Sequence, residues 1–185
     1  IPALSPDFYR FIWDGQVFLH GHNPYLHTPQ ELIAQTGFQI PNVDILFSKM
    51  GILSASNHTN YPPVCQGIFA VVAFISGKSI LGAVIAFRLI ILFCDIGIYY
   101  FGKKILSRLS LPKKNIFLYF LNPLVIVELT GNLHFEGIMI FFLFLAIYYL
   151  LNKKIIPAAL FFAFSISVKL FPLLLLHLLW CCLGF

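Results

Sequence analysis

The run ILGAVIAFRLIILFCDIGIYYF, residues 80–101, decides the fold. It holds 22 residues with two charges, Arg88 and Asp95, and no proline. About 20 predominantly apolar residues of helix cross the hydrocarbon core of a bilayer. The run therefore predicts a spanning helix. The whole chain agrees with it: of 185 residues, 59% are apolar and 10% charged, and the mean hydropathy is +0.89. A soluble domain has about 45–50% apolar and about 25% charged residues. This composition excludes a soluble domain, a disordered segment and a nucleic-acid binder. The 21 Phe residues point the same way, because that much aromatic surface would aggregate in water.

Downstream of the central run, apolar segments alternate with short basic breaks. Asn115 to Leu129 and Gly137 to Leu151 hold 15 residues each, and Ile155 to Phe171 holds 17. The 15-residue runs cross only if flanking residues extend them or the bilayer thins. Upstream, Val64–Ile75 has about twelve residues, too few to span, and reads as a surface or re-entrant helix. The expected architecture is all-α: a polytopic transmembrane helix bundle, with amphipathic juxtamembrane helices in a large first outer loop. Residues 1–63 form that loop and residues 64–185 the membrane region. The chain starts without Met and stops inside an apolar run, so it is expected to be a fragment with elements missing at both ends. The four cysteines, Cys65, Cys94, Cys181 and Cys182, lack CxxC spacing and read as small apolar residues.

Charge sets the orientation. Seven of the twelve Lys and Arg residues, Lys103, Lys104, Arg108, Lys113, Lys114, Lys153 and Lys154, fall in two short breaks. The positive-inside rule puts both in the cytoplasm. The turn Thr130–Glu136, the head 1–63 and the region of Lys169 then lie on the opposite face. In the head, Phe8, Phe11, Ile12, Val17 and Phe18 recur at near-helical spacing. Pro6 to Gly21 thus reads as an amphipathic helix, begun at Pro6, stopped at Gly21 and lying on the membrane surface.

The polar residues on the outer face could carry chemistry. Asp7 and Asp14 are seven apart and share a helical face, and paired acids suit general-base or metal work. The plainer alternative is that Asp7 favours the helix start and Asp14 is solvated. Thr130-Gly-Asn-Leu-His-Phe-Glu136 is either a ligand-binding turn, with His134 and Glu136 as its chemistry, or an interfacial loop. Glu128 at the edge of an apolar run is costly there, and so a functional candidate. Arg88 and Asp95, also seven apart, read as a structural network, with Arg88 able to reach a phosphate. Lys169 either snorkels or meets a lipid phosphate. His20, His22 and His27 lack metal-site spacing, so no metal ligand set is assigned. Asn57-His-Thr59 fits the glycosylation pattern, a weak three-residue signal.

Asp7-Phe-Tyr-Arg-Phe-Ile-Trp-Asp-Gly15, followed by Gly21-His-Asn-Pro-Tyr25, resembles the opening outer loop of integral-membrane glycosyltransferases with the GT-C fold. The likeness is to glycosyltransferase family 87 and related polyprenol-phosphate-mannose-dependent mannosyltransferases. Tyr61-Pro-Pro63 is similar to the Tyr-Pro-Pro after that loop. Leu121-Asn-Pro-Leu124, Glu128 and Gly131-Asn-Leu-His134 resemble a later signature, which often has Gly where Leu133 stands and Asp where Glu136 stands. Lys169 with Pro172 resembles a further Lys-x-x-Pro. These likenesses run in order along nearly the whole chain.

The resemblance implies transfer of a sugar, mannose in the family, from a polyprenyl-phosphate carrier to a hydroxyl of a glycan or lipid-linked acceptor. Transfer would occur with inversion, on the periplasmic or lumenal side, for a cell-envelope glycan. It implies an outer-loop acid as general base: Asp7 first, Asp14 second. Arg10, Arg88 and Lys169 would bind the lipid phosphate. Asn23, Tyr25, Tyr61, Glu128, Asn132, His134 and Glu136 would line the sugar or acceptor pocket. It requires no certain cofactor and leaves a divalent cation open. The absence of a tight Asp-x-Asp pair argues against a nucleotide-sugar donor. The bacterial inner membrane is preferred over the endoplasmic reticulum, with membrane lipids as partners and no nucleic acid. The competing reading is a lipid or sugar transporter or flippase without transferase chemistry. Intramembrane Arg88, Asp95, Glu128 and Lys169 would then mark its pathway.

Overall fold

The computed structural model describes residue 2 and residues 4–176, and every regular element among them is helical. The end of the last apolar run, with Cys181 and Cys182, lies outside the described residues. In chain order the helices are α1 (Asp7–Leu19), α2 (Pro29–Ala34), α3 (Val43–Lys49), α4 (Ile52–Ser56), α5 (Pro63–Ser76) and α6 (Ile80–Arg108). A 3-10 turn (Lys113–Ile116), α7 (Phe117–Phe120), α8 (Pro123–Val125), a π-helical turn (Ile126–Gly131), α9 (Glu136–Leu151) and α10 (Ile155–Val168) follow. The described residues form two compact units: those up to 90 with 131–133, and 91–130 with 134–176.

The first unit is built on α1 against α5. Phe11 stacks on Phe69 at 4.8 Å between ring centroids, and Tyr61 and Phe87 close on the pair edge-on. Trp13 packs against Phe38 and Phe47. Each fully buried side chain of this size contributes about 1.5–3 kcal/mol. The bounds of α1 follow the sequence reading closely, with Gly21 in the left-handed region (φ +82°) just past its end. Its surroundings do not. Phe8 and all of residues 10–17 are buried, whereas Phe18 is exposed. So α1 is enclosed rather than laid on a surface with one face open. Its polar face can be buried because Arg10 and Asp14, on that face, neutralise each other. Two side chains fasten the α5–α6 turn to the head: Gln16 donates to the Gly77 carbonyl (2.8 Å) and Asn42 to the Lys78 carbonyl (2.7 Å).

The central run forms one helix, as its composition requires. It extends beyond Phe101 to Arg108, 29 residues in all. Lys103, Lys104 and Arg108 do not interrupt it, because Lys and Arg are good helix formers and cations suit a helix C-terminus. Leu81, Ile85, Leu89, Phe93, Ile96 and Tyr100 recur every three or four residues along it, each at least half exposed. α6 is the one described helix long and apolar enough to cross a membrane. The pair Pro123–Gly131 and Glu136–Leu151, bent by 112°, makes a second if it counts as one broken span.

The Asn115–Leu129 run is not one helix. Pro123 has no N–H to donate and keeps the residue before it out of helical geometry. Asn122 is extended (φ −74°, ψ 117°), and its side chain caps the restart by accepting from the Leu124 N–H. In the second unit Gly97 admits the Phe141 ring, where a Cβ would collide. Ser165 Oγ ties α10 to α9 by donating to the Met139 carbonyl (2.8 Å).

A Cβ at Gly15 would run into the Phe69 carbonyl, whereas one at Gly67 meets nothing within 4 Å. Gly15→Ala is therefore expected to destabilise the protein by about 1–3 kcal/mol through overpacking. Gly67→Ala is expected to be neutral or stabilising by up to about 1 kcal/mol. Thermal unfolding of the two variants in detergent checks the contrast.

Candidate active site

The start of α1 and the segment before α5 line a cavity of about 400 Å³. Asp7, Arg10, His58, Asn60 and Tyr61 are among its lining residues. Asp7 is half-buried in the first turn of α1, where its N–H donates to Ser5 Oγ (3.3 Å).

Asp14, two turns on, is 1% exposed and does not line the cavity. Its Oδ1 accepts from Arg10 Nε at 2.7 Å, and its Oδ2 from Gln66 Nε2 at 2.9 Å. Gln66 Nε2 also donates to Thr59 Oγ1 at 3.0 Å. Burial pushes the Asp14 carboxyl above its ordinary value, against the pull of Arg10 and of hydrogen bonds from Gln66 and Thr59. Arg10 is 4% exposed. Its Nη1 donates to the Ser54 carbonyl and, at 3.1 Å, to that of Asn57. Arg10 thus ties α1 to the cavity wall and carries Asp14 as its counter-charge.

Tyr61 also lines the cavity. Burial, then the charges of Asp7 and Asp14, push its hydroxyl well above the ordinary tyrosine value, so it stays protonated and can donate. Tyr25 donates from its hydroxyl to the Tyr61 carbonyl (2.7 Å), and Asn23 Oδ1 accepts from the Tyr25 N–H (3.0 Å). Asn23, Tyr25 and Tyr61 are thus brought together. Asn132 is buried and belongs to this unit, as does Arg88, which donates to the Gly131 carbonyl (3.4 Å).

In the second unit His134 Nδ1 lies 3.2 Å from Glu128 Oε2, and the His134 N–H donates to the Glu128 carbonyl (3.3 Å). Lys169, the residue that ends α10 in extended geometry, is ion-paired with Glu136. Asp95 Oδ2 accepts from Thr130 Oγ1 (3.4 Å), in line with a structural role. The turn between these residues holds Leu133, fully buried, at φ +61°. That region favours glycine, which gives a physical reason for a Gly at this position in the resembling signature. Among the described residues no three His, Cys, Asp or Glu side chains gather as metal ligands.

Sequence reasoning missed the wall formed by Ser54, Asn57, His58 and Asn60. Its signal was position: these polar residues directly precede Tyr61-Pro-Pro63. It also missed the capping box of α2, written in Thr28-Pro-Gln-Glu31 and formed by reciprocal bonds between Thr28 and Glu31.

A cavity with one lining carboxylate thus lies on an all-helical chain that carries one helix of bilayer length. The chain belongs to the family described as alpha-(1->6)-mannopyranosyltransferase, N-terminal domain, whose model matches residues 1–183. It is similar to alpha-(1->6)-mannopyranosyltransferase B of Corynebacterium glutamicum, with 27% identity over 143 residues, 77% of this chain. It spans about a quarter of that relative's length (23%). No solved structure matches it. Family membership agrees with the resemblance carried by the Asp7–Gly15, Tyr61–Pro63 and Gly131–His134 segments.

Removing charge from the two acids has different consequences. Asp14→Asn leaves a buried guanidinium without its counter-charge and is expected to cost about 3–5 kcal/mol of stability. Asp7→Asn, at a half-buried position on a cavity, is expected to cost less than about 1 kcal/mol. Unfolding midpoints of the purified full-length variants check this.

Proposed function

We propose that this chain is the N-terminal part of an integral-membrane mannosyltransferase. The donor is a polyprenyl-phosphate mannose and the acceptor a hydroxyl of a glycan or lipid-linked saccharide. The linkage made is α-(1→6), as in the name of the similar corynebacterial protein. The carrying observation is the cavity of about 400 Å³ at the start of α1, with Asp7 as its lining carboxylate.

In this reading Asp7 accepts the proton of the acceptor hydroxyl. The hydroxyl oxygen attacks the anomeric carbon from the side opposite the phosphate. The bond from that carbon to the phosphate oxygen breaks, and the lipid phosphate leaves with the electron pair, so configuration inverts. A phosphate leaving group needs no strong acid, only positive charge nearby. Arg88, in the same unit as Asp7, is the proposed source. Arg10 and Asp14 act as the frame of the cavity, because their mutual bond and the Ser54 and Asn57 carbonyls already satisfy the guanidinium. Tyr61, with its neutral hydroxyl, and Asn23, Tyr25 and Asn132 are the proposed sugar and acceptor contacts in the unit that holds Asp7.

The exposed apolar stripe of α6 supports embedding in a bilayer, since a patch of that extent exceeds what a water-exposed surface carries. The bundle is polytopic and GT-C-like in this reading. The head and the 130–136 turn face the non-cytoplasmic side of a bacterial inner membrane, with the basic breaks opposite.

The test is transfer of radiolabelled mannose from polyprenyl-phosphate mannose by the full-length protein in membranes. Asp7→Asn is expected to lower the rate about 10²–10⁴-fold while the protein still inserts and folds. Full activity in Asp7→Asn would remove it as the base. Movement of such a lipid between leaflets without any transfer would favour the transporter reading instead.

A further inference from the structure

The second unit carries another cavity, of about 590 Å³, at the basic end of α6. Lys103, Lys104, Arg108 and Lys113 line it, and no carboxylate does. None is near in sequence either: the chain has no Asp or Glu from residue 96 to 127, nor from 137 to 185. Three of these cations are instead held by neutral groups. Lys104 Nζ lies 4.1 Å from the centroid of the Tyr100 ring and 5.5 Å from that of Tyr148. Lys103 Nζ donates to the Tyr99 hydroxyl (3.3 Å), and Arg108 to Asn152 Oδ1 (3.1 Å). Such partners fix the side chains in place and leave their charge uncompensated. Four like charges around one hollow repel one another, and an anion in the hollow removes that cost.

The flank of this site is greasy. Beyond Lys113 the chain presents Phe117, Leu118 and Leu121, at 46%, 79% and 72% exposure. With Lys114 they line an apolar groove of about 490 Å³. A phosphate-bearing head beside an apolar tail has the same arrangement of charge and grease. Aromatic residues such as Tyr99, Tyr100 and Tyr148 are favoured at the headgroup level. Basic pockets beside spanning helices on the cytoplasmic side suit anionic lipid heads.

We propose that the cavity lined by Lys103, Lys104, Arg108 and Lys113 binds the phosphodiester head of an anionic phospholipid, with an acyl chain along Phe117, Leu118 and Leu121. This site is separate from the one assigned to sugar transfer and does not depend on that assignment. It requires only that the chain be membrane-embedded.

The test uses full-length protein purified in neutral detergent, with intrinsic fluorescence and the thermal midpoint followed as additive is titrated. The additives are dioleoylphosphatidylglycerol, dioleoylphosphatidylcholine and inorganic phosphate. The anionic lipid is expected to bind at least tenfold more tightly than the zwitterionic one, and phosphate not to substitute for it. Lys103→Gln/Lys104→Gln is expected to weaken phosphatidylglycerol binding about thirtyfold, at roughly tenfold or less per charge. Arg108→Gln/Lys113→Gln gives an independent second pair should the first fold poorly. Lys153→Gln/Lys154→Gln, outside the cavity, is expected to retain binding. Equal binding of the two lipids, full binding by both cavity variants, or equal response to phosphate alone would overturn the proposal. Sugar transfer is not read out, so failure of the transferase reading leaves this result interpretable.

Discussion

A guanidinium held at 4% exposure inside an apolar helical head must have a counter-charge, and Asp14 supplies it across one turn of α1 at 2.7 Å. Removing one partner of such a pair costs far more than the pair itself adds to stability. The first unit is arranged around that constraint. Gln66 reaches from α5 to the second carboxylate oxygen of Asp14, and Arg10 reaches out to the backbone before α5. One ion pair thereby ties α1, α5 and the 54–60 segment together. It also separates two acids that look equivalent on a helical wheel: Asp14 is satisfied inside, and Asp7 is left on a cavity wall.

The second unit follows a different constraint, that of keeping backbone polar groups satisfied where an apolar chain breaks. Pro123 forces the break, Asn122 caps the restart, and the π-helical turn from Ile126 leads into the polar 130–136 segment. Non-helical backbone within an apolar chain is tolerated where its polar groups find partners. Leu133, which counts with the first unit, holds a positive φ with its side chain fully buried. A broken helix pair thus brings Glu128 to His134, while Lys169 at the end of α10 meets Glu136.

The extent of α1, α5, α9 and α10, and the start of α6, could be read from the chain to within a few residues, because apolar runs and Pro or Gly punctuation act locally. Lys103 to Arg108 reads as a break and is helical, since charge ends an apolar run without ending a helix. Leu121-Asn-Pro hid a real break inside apolar composition. The burial of α1 was not legible. Periodicity marks Arg10 and Asp14 as the polar face, and only the meeting of Gln66, Ser54 and Asn57 with that face closes it. The cavity beside Asp7 escaped for the same reason. Its wall comes from residues more than 40 positions away, and one sequence records no such pairing. The motif resemblance supplied what spacing lacked: an order of preference between Asp7 and Asp14.

The central claim is that Asp7 meets the acceptor while Arg10 and Asp14 stay bound to each other. An electron cryomicroscopy structure of the full-length protein with a non-transferable polyprenyl-phosphate mannose analogue and an acceptor mannoside tests it directly. The account predicts an acceptor hydroxyl within about 2.6–3.2 Å of the Asp7 carboxylate, and an unbroken Arg10–Asp14 pair. An acceptor placed against Asp14, or Arg10 released from Asp14 to hold the donor phosphate, would contradict it.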